Sequence, residues 1–316
     1  MGPVIEIQNL TKRYGGRTAV DGLNLEVENG EIFGFVGPNG AGKTTTIRIM
    51  ATLLEPSAGE VRIGSHLVSK EPAGVRRLVG YMPDVFGLYR DMKVWEYLDF
   101  FAACYHIPES VRPGLIGDLL ELVDLSHRRE DMLESLSRGM QQRLSLARTL
   151  IHDPQVLILD EPASGLDPRA RVEIRELLVQ LSRMGKTIFF STHILADVAE
   201  ICTRVGILEA GKLVAVGELE ALQQQVMPRR TVEITLLDNL ETARKLLESL
   251  PAVSALKEIG GQNGRCRLEL EFIGDDQALS QILAWLVQAG VQVVRFSAES
   301  RDLEAVFMRA TKGLVT

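Results

Sequence analysis

Gly37-Pro38-Asn39-Gly40-Ala41-Gly42-Lys43-Thr44-Thr45 constrains this chain more than any other stretch. A glycine, four residues and then Gly-Lys-Thr is the spacing of a phosphate-binding loop. The apolar run Ile32-Phe33-Gly34-Phe35-Val36 before it reads as a buried strand, and the pattern from Thr44 to Leu54 predicts a helix. Strand, loop and helix in that order are the setting the motif needs. Glycines let the backbone wrap an anion, and successive N–H groups with the helix N-terminus supply positive potential. In such a loop Lys43 reaches β- and γ-phosphates, and the Thr44 hydroxyl can ligate Mg²⁺.

The 316 residues suggest about two domains. With 46% hydrophobic and 24% charged residues, the composition is that of an ordinary globular protein. A net charge of −7 lends no support to a nucleic-acid partner. Cys104, Cys202 and Cys266 show no metal-ligand spacing and read as core residues of a protein from a reducing cytosol. The first residues do not have the form of a signal peptide, and no window is apolar enough to span a membrane. Any membrane role then has to come through a partner.

Val4-Ile5-Glu6-Ile7 and Leu23-Asn24-Leu25-Glu26-Val27 alternate as an antiparallel strand pair. Further short strands are expected at 61–63 and 79–82. From Lys93 to Arg148 the pattern is helical, with Trp95, Leu98, Phe101 and Ala102 on one face. Val156–Leu159, Thr187–Phe190 and Val205–Leu208 are continuous apolar runs, as parallel strands buried on both faces should be. An amphipathic helix over 169–184 falls between the first two of these runs. After Leu222 the character changes. Residues 223–230 read as a linker, followed by strand (231–237), helix (239–250), two strands (253–259, 265–273) joined by a Gly-rich turn over 260–264, helix (275–289), strand (291–297) and helix (300–310). That order matches a small ferredoxin-like α+β domain.

A second set of residues narrows the chemistry. Asp160 ends an apolar strand and can hold Mg²⁺ through water, while Glu161 is placed to polarise an attacking water. His193, after the run Phe190-Ser191-Thr192, can donate to a γ-phosphate or to that water, or can serve structure alone. Leu136-Ser137-Arg138-Gly139-Met140-Gln141-Gln142-Arg143 opens a helix with a good N-cap and a bare glycine, presenting N–H groups and a hydroxyl to an anion.

With these motifs the chain resembles the ATP-binding cassette (ABC) transporter ATPases over roughly residues 4–222, with the motifs in the family's order. The resemblance implies an α/β P-loop NTPase fold: a RecA-like core, an antiparallel β-subdomain and an α-helical subdomain at about 85–150. Residues 1–222 would then be the ATP-binding domain and 231–316 an accessory or regulatory domain. It implies two subunits, a homodimer or a pair with a paralogous ATPase, closing head to tail on two Mg-ATP. Lys43, Thr44, Thr45, Asp160, Glu161 and His193 of one subunit, with Ser137 and Gly139 of the other, would hold each nucleotide. Asp167 of the Ser164-Gly165-Leu166-Asp167 loop would lie at the seam, and Tyr14 matches the aromatic that stacks on adenine. Membrane-embedded permease subunits would use the closure for transport, with the ATPase peripheral on the cytoplasmic face of the cell membrane. The Met82-Pro83-Asp84, 136–143 and Leu303–Phe307 elements resemble an exporter branch whose ATPase pairs with a separate membrane protein.

Two departures stand out. Asp84 occupies a position usually held by Gln, keeping an acceptor near Mg²⁺ but losing the amide donors; it could equally cap the segment that follows. Arg138 and Met140 stand where Gly and Gln are common, and Arg138 either adds a cation near a phosphate surface or faces solvent. The aromatics from Phe86 to Tyr105 read as helix core or, by the resemblance, border a groove for a membrane subunit. A soluble ABC-type ATPase of DNA repair or translation is the alternative function. The segment between Thr45 and Leu136 carries neither sustained heptads nor a cysteine cluster, which counts against the repair class, and translation-associated ATPases usually carry two cassettes.

Overall fold

A computed structural model describes residues 2–85, 87, 91–219, 221–222, 230–260, 266–298 and 307. The chain forms two compact units, with the boundary after Leu219. Phe86, Tyr89, residues 223–229 of the expected linker, the 261–264 part of the expected turn and all of the helix expected at 300–310 except Phe307 lie outside the described residues.

The first unit starts with an antiparallel sheet. β1 (Ile5–Tyr14) pairs with β2 (Arg17–Val27) through a Gly15-Gly16 turn, and β4 (Ala58–Ile63) pairs with the other edge of β1, followed by β5 (His66–Leu67). Ile5 and Ile7 of β1 face the core in alternation, and a register shift between Ile7 and Leu10 returns Leu10 to the same side.

The second sheet has six strands. In order these are β10 (Lys212–Glu218), β9 (Arg204–Glu209), β3 (Ile32–Val36), β8 (Thr187–Thr192), β7 (Val156–Asp160) and β6 (Val79–Met82). All neighbours are parallel except the antiparallel edge pair β9–β10. All residues of β3, β7 and β8 are buried, which is why they read as uninterrupted apolar runs. Phe33 stacks on Phe189 across β3 and β8 with centroids 5.5 Å apart. The helices of this unit are α1 (Lys43–Met50), α2 (Pro72–Leu78), α3 (Val94–Cys104), α4 (Arg112–Leu122), α5 (Arg138–Leu150), α6 (Pro168–Arg183) and α7 (Leu195–Ile201).

The expected helical stretch from 93 to 148 is three helices. His106 (φ +58°) and Asp124 (φ +52°) turn the backbone left-handed after α3 and α4, and short 3₁₀ turns at Ser126–Arg128 and Leu133–Ser135 lead into α5. The buried face of α3 is Val94, Tyr97, Leu98 and Ala102, so Tyr97 replaces Trp95 and Phe101 in the expected ridge. Among the described residues no helix is long and apolar enough to cross a membrane.

The cysteine expectation needs correction: Cys104 is exposed at the end of α3. Cys202 fits it better, because its Sγ lies 2.7 Å from where a Gly34 Cβ would stand and burial pushes the thiol well above its ordinary range.

A titratable contact locks α3 to the end of α5. The Tyr105 and His152 rings stack with centroids 4.0 Å apart and planes 8° apart, and His152 Nε2 lies 3.1 Å from the Val79 carbonyl oxygen. Burial lowers the His152 pKa, partly opposed by the Val79 carbonyl and Asp153. The unfolded chain therefore holds this proton more readily than the folded one. The contribution to stability is complete above about pH 6.5 and is lost as pH falls through the lower folded value. The melting temperature is expected to drop between pH 7.5 and 5.5, and to drop less in His152→Gln. Equal drops in the two proteins would rule the linkage out.

The second unit is a four-stranded antiparallel sheet in the order β12 (Val253–Glu258), β13 (Cys266–Phe272), β11 (Arg230–Leu236), β14 (Val293–Ala298). Helices α8 (Leu240–Glu248) and α9 (Asp276–Gln288) share a core with one face of it: Ala243, Leu247, Ile282 and Leu286 pack with Val232, Ile234, Leu268 and Leu270.

Candidate nucleotide site

The phosphate-binding loop leaves β3 and enters α1, and tight packing dictates its glycines. Gly42 has φ +111°, and a Cβ there would stand 2.4 Å from the Ala19 carbonyl oxygen; one at Gly37 would stand 2.4 Å from that of Leu208. The bare loop Gly37 to Gly42 thus lies against β2 and β9 on one side and opens on the other to a cavity of about 570 Å³.

Lys43 starts α1 and is only 6% exposed. Its Nζ donates to the carbonyls of Gly37 (2.6 Å) and Pro38 (3.3 Å) and lies 3.5 Å from Glu161 Oε1. Burial lowers the Lys43 pKa, and the Glu161 carboxylate, with Asp160 behind it, opposes that. Thr44 Oγ1 donates to Asp160 Oδ1 at 3.2 Å.

Asp160 ends β7 and is 1% exposed. The parallel register sets it opposite Ser191 on β8, whose hydroxyl donates to Asp160 Oδ1 at 2.6 Å. The Glu161 N–H donates to both the Ser191 carbonyl and hydroxyl oxygens at 3.1 Å. These bonds hold Glu161 at φ +51°, a backbone region that costs a non-glycine residue about 1–3 kcal/mol. His193, just past β8, has Nδ1 2.8 Å from Glu161 Oε2. On α7, which follows His193 in the chain, Asp197 is 2% exposed and accepts from Arg175 on α6 at 2.9 Å. Burial pushes the Asp197 carboxyl pKa up, against the pull of that guanidinium.

Of the residues singled out from sequence, Tyr14, Pro38, Asn39, Gly40, Gly42, Lys43, Thr44, Thr45, Asp84, Glu161 and His193 line the one cavity. Asp160 reaches it through Thr44, whereas Gly37 and Ala41 are not among its lining residues. Tyr14 is 48% exposed, with the Lys12 ammonium 5.3 Å from its ring centre.

Ser137, Gly139 and Asp167 do not line this cavity. The Ser137 hydroxyl caps α5 by accepting from Met140 N–H at 3.3 Å, and Asp167 caps α6 by accepting from the N–H groups of Arg169 and Ala170 at 3.0 Å.

Ser164, from the loop singled out for Asp167, lines the cavity as well, whereas sequence reasoning missed Arg17, Ala19 and Ser191. Arg17 is the cross-strand partner of Tyr14 at the Gly15-Gly16 turn, so the hairpin delivers a cation beside the aromatic. A glycine pair flanked by Tyr and Arg was the available signal. Ser191 had a weaker one, its place two residues before His193.

The donor set suits a magnesium nucleotide. Among the described residues no group of three or more His, Cys, Asp or Glu side chains could hold a metal by itself. Thr44 and Asp160 offer one hydroxyl and one carboxylate, so phosphate oxygens and water would complete the shell, as Mg²⁺ prefers.

Comparison with known proteins places the chain in a family. The family model for ABC transporters matches residues 20–164. The Nod factor export ATP-binding protein I of Burkholderia orbicola (strain AU 1054) is 34% identical over 307 residues, covering 97% of this chain and 96% of that protein. The linearmycin resistance ATP-binding protein LnrL of Bacillus subtilis (strain 168) is 28% identical over 308 residues, covering 98% of each. A solved ATP-binding subunit of an ABC transporter superposes with a TM-score of 0.64 at 30% identity, covering 70% of this chain and 92% of that one. A dimeric post-hydrolysis state of an ATP-binding cassette bound to ADP and Pi gives 0.62 at 26% identity, covering 68% and 98%. The parallel core, the phosphate-binding loop and a relative alike along nearly the whole length lead to one family, and the chain belongs to the ATP-binding, ATP-hydrolysing subunits of ABC transporters.

Proposed function

We propose that this subunit works as one half of a head-to-tail dimer that closes on two Mg-ATP and drives export through separate membrane permease subunits, from the cytoplasmic face of the membrane. One observation carries the reading. Lys43, Thr44, Glu161 and His193 line one cavity, with Asp160 bonded to Thr44 behind them, while the Ser137–Gly139 turn, built to present N–H groups to an anion, stands off it in its own subunit. A partner's ATP is what such a turn can serve. The dimeric relative bound to ADP and Pi supports this arrangement, and the export and resistance functions in relatives' names support the direction.

Within each site Tyr14 stacks on adenine, with Arg17 beside it. The loop N–H groups and Lys43 hold the β- and γ-phosphates. Thr44 and Asp160, with Asp84 as a further acceptor, would hold Mg²⁺, which would supply positive charge against the phosphates. Glu161 orients and polarises the water, and His193 keeps that carboxylate in place while facing the γ-phosphate. Ser137 and Gly139 of the partner complete the anion shell, and Asp167 lies at the seam between the two sites. The domains follow from this: residues 1–222 carry the ATPase, and 231–316 form a ferredoxin-like accessory module, whose sheet order, second–third–first–fourth strand, supports that assignment.

Sedimentation of the full chain tests the composite site. ATP in the absence of free Mg²⁺ is expected to convert monomer to dimer. Ser137→Arg, which puts bulk and charge where the partner's γ-phosphate would sit, is expected to abolish the dimer and keep nucleotide binding by the monomer. A full dimer yield from Ser137→Arg would refute the arrangement.

A further inference from the structure

Arg138 follows the Ser137 cap as the first residue of α5, and its side chain has a defined seat. Gly165 has φ +68°. A Cβ built there would stand 2.5 Å from the Arg138 guanidinium carbon and 2.6 Å from each of its two terminal nitrogens. Three near-equal distances mean that the guanidinium lies face-on across the space that a Cβ on Gly165 would fill, a stack that needs a planar cation and a glycine. One residue on, a Cβ at Gly139 would come within 3.1 Å of Ala170 Cβ, so the same turn abuts the first turn of α6. The Ser164–Asp167 loop is thus held twice. Arg171 of α6 donates to the Leu166 carbonyl at 3.1 Å from behind, and Arg138 covers Gly165 in front.

Arg138 also borders a second cavity of about 420 Å³ together with Asp84 and Gln141. Asp84 lines the nucleotide cavity as well, and it brings the opposite charge to the wall that Arg138 shares. One cation therefore touches or faces three segments: the Ser137–Gly139 turn, the Ser164–Asp167 loop and the strand end carrying Asp84.

We infer that Arg138 is a positioning residue for ATP hydrolysis, fixing the Ser137–Gly139 turn to the Ser164–Asp167 loop of the same subunit through its stack on Gly165. This rests on the reading that both segments act at the dimer seam. Neither the turn nor Gly165 lines the cavity that captures nucleotide, and of the loop only Ser164 does, so the effect of Arg138 falls on turnover rather than on nucleotide capture.

A double-mutant cycle on the full chain tests this. Arg138→Ala is expected to lower kcat roughly tenfold, with the monomer's Kd for a fluorescent ATP analogue and the melting temperature unchanged. Gly165→Ala puts a methyl where the guanidinium lies, displaces it, and is expected to lower kcat as well. Because both single changes break the same contact, the double variant is expected to be no slower than the slower single. Wild-type kcat in Arg138→Ala, or losses that multiply in the double variant, would overturn the inference. Ser137→Arg separates the two layers. If it is inactive while Arg138→Ala turns over normally, the composite site stands and the positioning role falls; if both turn over normally, both fall.

Discussion

Glu161→Gln is expected to lower kcat by about a hundredfold or more while ATP still binds. The amide matches the carboxylate in shape, so the backbone bonds from Glu161 N–H to Ser191 and the unusual φ of +51° can persist. What it loses is the capacity to draw a proton from water. It also loses the charge that sits 3.5 Å from Lys43 Nζ and 2.8 Å from His193 Nδ1. Bound phosphates replace that charge for Lys43, which is why affinity should survive. The variant should therefore accumulate with ATP in place, and the dimer should outlast that of the wild type. Phosphate release measured beside equilibrium nucleotide binding decides the matter: a variant retaining a tenth of the wild-type rate would remove Glu161 from the role of base.

That assignment was within reach of the sequence because its parts are local. A strand buried on both faces announces itself as an unbroken apolar run: β3 ends with its run at Val36, and β7 runs one residue past its own, to Asp160. Other features were harder to read for identifiable reasons. The seven-residue helices α2 and α7 are too short to show a period. The edge strand β10 follows a two-residue turn at Ala210-Gly211, and its alternating exposure leaves only a thin apolar stripe. The clamp on Asp160 comes from Ser191, 31 residues away, and exists only through the β7–β8 register. Arg17 enters the cavity by cross-strand pairing with Tyr14. Arg138 was visible as an unusual residue, but its seat on Gly165 depends on how α5 meets the loop before α6. Local chemistry was legible, whereas the contacts that orient it belong to the packing.

The same distinction predicts which glycine cannot be replaced. Gly42→Ala and Gly30→Ala both place a methyl at positive φ, +111° and +79°, so each carries a backbone cost of about 1–2 kcal/mol. Around Gly30 the space is open, with nothing within 4 Å of the added carbon. At Gly42 the methyl would stand 2.4 Å from the Ala19 carbonyl oxygen and 3.4 Å from Leu208 and Val20 side chains. Backbone cannot step aside as a flexible side chain can, so the loop must lift off β2 and carry Lys43 and Thr44 with it. Gly42→Ala is expected to lose about 2–3 kcal/mol in all, a fall of roughly 5–10 °C in melting temperature for a unit of this size. Nucleotide affinity should fall at least tenfold, since the N–H groups no longer converge on one anion. Gly30→Ala should show only the smaller stability loss and bind nucleotide as the wild type does. Calorimetric titration of both variants with ATP gives the comparison. Equal affinities would mean that the close approach to Ala19 does not shape the phosphate site.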